Sequence, residues 1–105
     1  MAFVLNDYMI NSNEWEVAKR VQRILNINGE NLKPDGVFGT KTLDAIHHRA
    51  DKEWLIEQIL IDRYNNYRKI VANDGSQINN FAGWINRLNK VAEIVGSKLR
   101  FDKKY

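Results

Sequence analysis

The chain is 105 residues long, enough for one domain that buries roughly two-thirds of the surface its unfolded form would expose. It is 44% hydrophobic and 28% charged with no Cys, which excludes disulfide frameworks, cysteine-based zinc sites and thiol nucleophiles, so any core rests on packing. The net charge of +3 is local: residues 1–50 hold six basic and six acidic side chains, while Lys98, Arg100, Lys103 and Lys104 against Asp102 account for the whole excess.

Apolar positions recur at helical spacing almost throughout, and no stretch alternates as a strand would. Phe3 to Ile10 reads as a short helix whose apolar residues must pack on something outside their own segment. From Glu14 to Asn28, Val17, Ala18, Val21, Ile24 and Leu25 form one stripe, with Lys19, Arg20, Gln22 and Arg23 off it. Asn11, Ser12 or Asn13 is placed to cap that helix, and Glu14 and Glu16 suit its dipole. Turn formers then dominate from Asn26 to Thr40, punctuated by Gly29, Pro34, Gly36 and Gly39. Pro34-Asp35-Gly36 sets a turn with Pro at its second position and Gly where a positive φ comes easily. Gly39-Thr40 opens a short helix, Lys41 to Arg49, capped by Thr40 or Thr42 with Leu43 and Ile46 inward.

Residues 52–72 place Leu55, Ile56, Ile59, Leu60, Tyr64, Tyr67, Ile70 and Val71 on a broad apolar face. Asn73-Asp74-Gly75-Ser76 breaks that helix. Ile78, Phe81, Ile85, Leu88, Ala92, Val95 and Leu99 then continue at helical spacing for more than five turns. Long amphipathic helices joined by a short loop pack antiparallel. The expected fold is an all-α small helical bundle with two long antiparallel C-terminal helices and a Gly-rich turn between two shorter helices. The basic tail beyond them reads as a solvated end, or as a weak attractor of an anionic polymer.

The residues offer little to catalysis. His47 and His48 are adjacent, so on a helix they point about 100° apart and do not share a metal. Gly36-Val-Phe-Gly39 lacks the Lys-Ser/Thr of a phosphate loop. Glu14, Glu16, Glu53, Glu57 and Glu93 fall on polar faces, so none stands out as a protonated glycosidase acid. No metal and no cofactor is called for.

Trp84 is more informative. It lies one step off the core stripe, beside Gly83 and close to Asn86 and Arg87, where an indole stacks on a sugar ring while polar neighbours bind its substituents. Arg63, Tyr64, Tyr67 and Arg68 share a face of the first long helix and would complete the surface. The plainer alternative packs Trp84 on Tyr64 or Tyr67 as core edge. Gly83, costly inside a helix, suggests close packing or ligand approach there. Trp15 and Trp54 read as packing residues near helix starts.

Val21-Gln-Arg-Ile-Leu-Asn26, followed by Asp35-Gly-Val-Phe-Gly-Thr-Lys-Thr-Leu-Asp-Ala-Ile46, resembles the repeat-type peptidoglycan-binding module. In that module a Gln-x-x-Leu helix leads to an Asp-Gly-x-x-Gly-x-x-Thr turn, whose counterparts here are Asp35, Gly36, Gly39 and Thr42. Asp62-Arg-Tyr-Asn-Asn-Tyr67 and Phe81-Ala-Gly-Trp-Ile-Asn-Arg87 resemble the C-terminal half of the glycoside hydrolase family 108 N-acetylmuramidases. Asp7-Tyr-Met-Ile-Asn-Ser-Asn13 resembles the segment that joins that half to the catalytic one, with Asn13 where the family has Gly.

The resemblance implies a joining segment over residues 1–13 and a peptidoglycan-binding helical domain over residues 14–105. The family's Glu-Gly-Gly catalytic motif does not occur in the chain. Binding of the cell wall without hydrolysis is therefore the leading expectation. An active or partner-dependent muramidase fragment is the alternative. The expected partners are peptidoglycan and, for the apolar residues Phe3, Val4, Leu5 and Met9, an upstream catalytic half or a second copy held through residues 3–10. The expected place of action is the bacterial cell wall or periplasm, although the opening Met-Ala-Phe-Val-Leu-Asn-Asp lacks the features of a secretory signal. No apolar run reaches the roughly 18 residues of a membrane span. A helix-turn-helix nucleic-acid binder is a further alternative, disfavoured because only Lys41 stands near the start of the second short helix.

Overall fold

A computed structural model describes residues 2–10 and 13–105, and Asn11 and Ser12, two of the three expected helix caps, lie outside the described residues. Among the described residues there are five α-helices and no strand, so the molecule is all-α: α1 (Ala2–Ile10), α2 (Glu14–Ile27), α3 (Thr40–Asp44), α4 (Lys52–Asn73) and α5 (Ile78–Ile94). A π-helical turn, Ala45–Arg49, follows α3, and a 3₁₀ turn, Gly75–Gln77, precedes α5. The chain divides into two units, Met1–Ile59 and Leu60–Tyr105, with the division inside α4.

In the first unit, Asn13 caps α2: its Oδ1 accepts the Trp15 N–H at 2.8 Å. Val17, Ala18, Val21, Ile24 and Leu25 are buried along the expected stripe. α1 packs on α2, and its Val4 and Tyr8, one turn apart, are buried while Phe3 stays exposed. Val4 therefore finds cover within the chain itself and needs no second copy to shield it. α2 ends as the glycine at residue 29 promises: φ is +95° there, Gly29 N–H bonds to Asn26 O at 3.1 Å, and Glu30 N–H bonds to Leu25 O at 3.2 Å.

The short helix after the turn departs from its expected register. Gly39 is the cap residue, with no side-chain hydrogen bond, so neither Thr40 nor Thr42 caps α3. The inward stripe is Thr42, Ala45 and Ile46, all buried, which turns Leu43 outward to 41% exposure. The 2.9 Å bond from Ala50 N–H to Ala45 O, five residues back, widens the final turn.

In the second unit the buried positions are Leu60, Arg63, Tyr67 and Val71 on α4 and Phe81, Ile85, Leu88, Val91 and Ala92 on α5. Between the helices Asp74 accepts the Ser76 N–H and hydroxyl at 3.1 and 2.6 Å. α5 stops at Ile94 rather than running to Leu99, because Gly96 N–H bonds to Glu93 O and Ser97 N–H to Ala92 O, at 3.1 and 2.8 Å. The tail is not merely solvated. The Asn89 side chain donates to Phe101 O at 2.9 Å and accepts the Phe101 N–H at 2.8 Å. Phe101 stacks on Tyr64 at 4.9 Å, and Tyr105 meets Phe81 edge-on at 5.4 Å, while Lys98, Arg100, Lys103 and Lys104 stay exposed.

Candidate functional site

The turn-rich segment between α2 and α3 is organised from below by one amide. Gln22, placed off the apolar stripe by its polarity, is 1% exposed. Its Nε2 donates to Val37 O at 2.9 Å and shares its remaining capacity between Asp35 Oδ1 and Thr42 Oγ1, each at 3.1 Å. Its Oε1 accepts the Gly36 N–H at 3.1 Å. One turn further along α2, Asn26 grips the loop in the same way, donating to Leu32 O at 2.8 Å and accepting the Leu32 N–H at 2.7 Å. A loop that would otherwise leave buried backbone groups unpaired thus borrows its partners from a helix face.

Local chemistry shapes the rest of the loop. Asp35 N–H bonds to Lys33 O at 2.8 Å, a three-residue turn centred on Pro34, whose fixed φ suits it. The expected turn is therefore present in a tighter form. Asp35 Oδ1 also accepts the Val37 N–H at 3.0 Å. That backbone donor first, and the Gln22 amide second, hold the Asp35 carboxyl below its usual 3.8. Gly36 has φ +80°, and a Cβ there would overlap the Trp15 indole. A side chain at that position would be both strained and obstructed. Trp15 itself is 47% exposed, with the Lys19 ammonium 3.9 Å above its ring.

Above this scaffold lies an open groove of about 410 Å³, floored by Gln22 and Thr42. Asn31, Lys33, Asp35, Thr40 and Lys41 supply its polar lining, and Leu32 and Val37 its apolar one. Asp35, Gly36 and Thr42, the counterparts of the motif's turn, are held by Gln22 beneath and beside that groove. Asn31, Lys33 and Lys41 were not legible as neighbours, because a loop's closure, not its spacing, brings residues 31 and 41 to one wall.

The residues expected to stack on a glycan lie in the second unit, and they differ in depth. Arg63 is 0% exposed, and its Nε donates to Tyr67 Oη at 2.7 Å. Tyr67 is buried too, so neither belongs to the outer surface expected of them. Trp84 is half-buried with its ring stacked on Tyr67 at 5.2 Å and 30°, the packing that was the plainer alternative. Asn86 and Arg87 are exposed. Tyr64 is half-buried beneath Phe101, and Arg68 donates to its hydroxyl at 3.4 Å. Gly83 is exposed, and an added Cβ would meet nothing, so close packing does not explain it. His47 and His48 are both exposed, with rings 6.4 Å apart. Among the described residues, no three His, Asp or Glu side chains gather as metal ligands, and no helix is long and apolar enough to cross a membrane.

A family model described as a predicted peptidoglycan domain matches residues 17–89, from the first turn of α2 through most of α5. Comparison with curated proteins and with solved structures gave no match.

Proposed function

The chain belongs to the predicted peptidoglycan domain family, and from that premise we propose that it is a non-catalytic module that holds the peptidoglycan of a bacterial cell wall. The observation that carries the reading is the family match over residues 17–89, which spans the Gln22-organised loop, all of α4 and most of α5. Binding without bond cleavage suits four of the five glutamates considered: Glu14, Glu16, Glu53 and Glu93 are exposed, which is not the desolvated setting a protonated general acid needs, while Glu57 is half-buried. Within this proposal the module serves a muramidase of the glycoside hydrolase family 108 type, raising the local concentration of wall substrate for a catalytic half. Trp84, Asn86 and Arg87 with Tyr64 remain the proposed glycan contacts, since Trp84 retains partial exposure after stacking on Tyr67.

Incubating the purified chain with insoluble peptidoglycan sacculi, with centrifugation and turbidity followed in the same tube, tests the reading. The chain is expected to pellet while turbidity holds. Failure to pellet removes the binding proposal, and clearing of the suspension replaces it with hydrolysis. A Trp84→Ala variant that pellets as well as the parent returns Trp84 to the core.

A further inference from the structure

We propose that the groove between α2 and α3 is a subsite for the peptide of the wall polymer, taking a free carboxylate on Lys33 and Lys41; this rests on the binding function proposed above. Three properties of the groove point there. Its volume of about 410 Å³ falls in the range of small-ligand sites and suits two or three amino-acid residues. No aromatic ring is among its lining residues, so the ring faces that hold sugars by stacking are missing. What the lining does offer is the complement of a peptide: two exposed ammonium groups from Lys33 and Lys41, a carboxylate from Asp35, and the amide and hydroxyl of Asn31 and Thr40.

Charge then selects the end of the peptide. Lys33 and Lys41 are donors only, and an ammonium paired with a carboxylate makes the stronger, charge-assisted class of hydrogen bond. Asp35, held ionised by the Val37 N–H and the Gln22 amide with the Lys33 charge also acting on it, lines the same groove and would accept the side-chain amine of a diamino acid in the same peptide. The floor is already fixed by the Gln22 bonds to Gly36, Val37 and Thr42, so a ligand meets a preformed wall and loses little to ordering it.

The test uses amide chemical shifts of the labelled chain titrated with lysyl-D-alanyl-D-alanine, with the same tripeptide amidated at its carboxyl end, and with an N-acetylglucosamine tetramer. The free-acid peptide is expected to move residues 31–42, with affinity for the amidated form about tenfold lower. A Lys33→Ala/Lys41→Ala double variant, both positions being exposed, is expected to fold normally by circular dichroism and to pellet on sacculi about tenfold more weakly. Equal response to the acid and the amide overturns the carboxylate assignment, and a groove that answers to the sugar tetramer instead overturns the peptide assignment. A double variant that pellets like the parent overturns the subsite while leaving wall binding intact. Failure of the parent chain itself to pellet overturns both readings together.

Discussion

Gln22 shows how much one buried amide decides. It spends both donors and an acceptor on a loop more than a dozen residues away, so Asp35, Gly36, Val37 and Thr42 all take their positions from one side chain of α2. Asp35 adds a pH dependence to that arrangement. Its carboxyl is held below its usual 3.8, so the ionised form stabilises the fold above that value, and the benefit is lost as pH falls through the lower, folded-state value. An Asp35→Asn variant keeps an oxygen for the Val37 N–H but no longer titrates. Its urea midpoint is expected to lie below the parent's near pH 6 and to converge on it once the pH has fallen below the lowered, folded-state value of the carboxyl. A gap that stays constant with pH would remove the ionised carboxylate from the account. Periodicity did not disclose the role of Gln22, since a polar side chain beside an apolar stripe reads as solvated whether or not a loop folds over it. The Asp35-Gly36 pair was legible because its turn chemistry is local.

At the scale of elements, α2 and α4 emerged where spacing placed them, whereas the short helix after the loop and the C-terminal end of α5 slipped. Across α3 and the π-helical turn after it the inward stripe is Thr42, Ala45 and Ile46 in place of Leu43 and Ile46, because the Gln22 bond draws a hydroxyl inward. α5 ends five residues before Leu99, at hydrogen bonds that apolar spacing cannot report. Phe101 and Tyr105, the only aromatic residues of a basic tail, were the available sign that the tail would fold onto Tyr64 and Phe81. Gly83 supplies a prediction at this scale. It is exposed in mid-helix and a Cβ would touch nothing, so Gly83→Ala is expected to stabilise the protein by about 0.5–1 kcal/mol, read as a rise in thermal midpoint. If the same variant binds sacculi more weakly, ligand approach explains the glycine. If it is less stable, the helical environment assigned to residue 83 is wrong.

For the whole molecule, charge and family membership give different expectations, and they are separable. The net charge of +3 equals what the tail contributes, so exchanging Lys98, Lys103 and Lys104 for Gln brings the formal charge to zero. All three side chains are exposed, and the loop groove has its own lysines. Sacculus pelleting at about 0.15 M salt, where screening acts within roughly 8 Å, is expected to change by less than about twofold. A larger loss would make wall binding a matter of general attraction to an anionic polymer rather than of a built site.

Helix α4 has a practical consequence for dissecting that binding. It runs unbroken from Lys52 to Asn73, while the boundary between the two units falls between Ile59 and Leu60. Cutting there would sever a continuous hydrogen-bond ladder and leave about four carbonyls on one stump and four amides on the other without their helical partners. The first half would also end in a fraying stump, Lys52 to Ile59, shorter than isolated helices tolerate. The protein therefore has no clean seam, and assigning wall contacts to one half or the other is work for point substitutions in the intact chain, not for truncation.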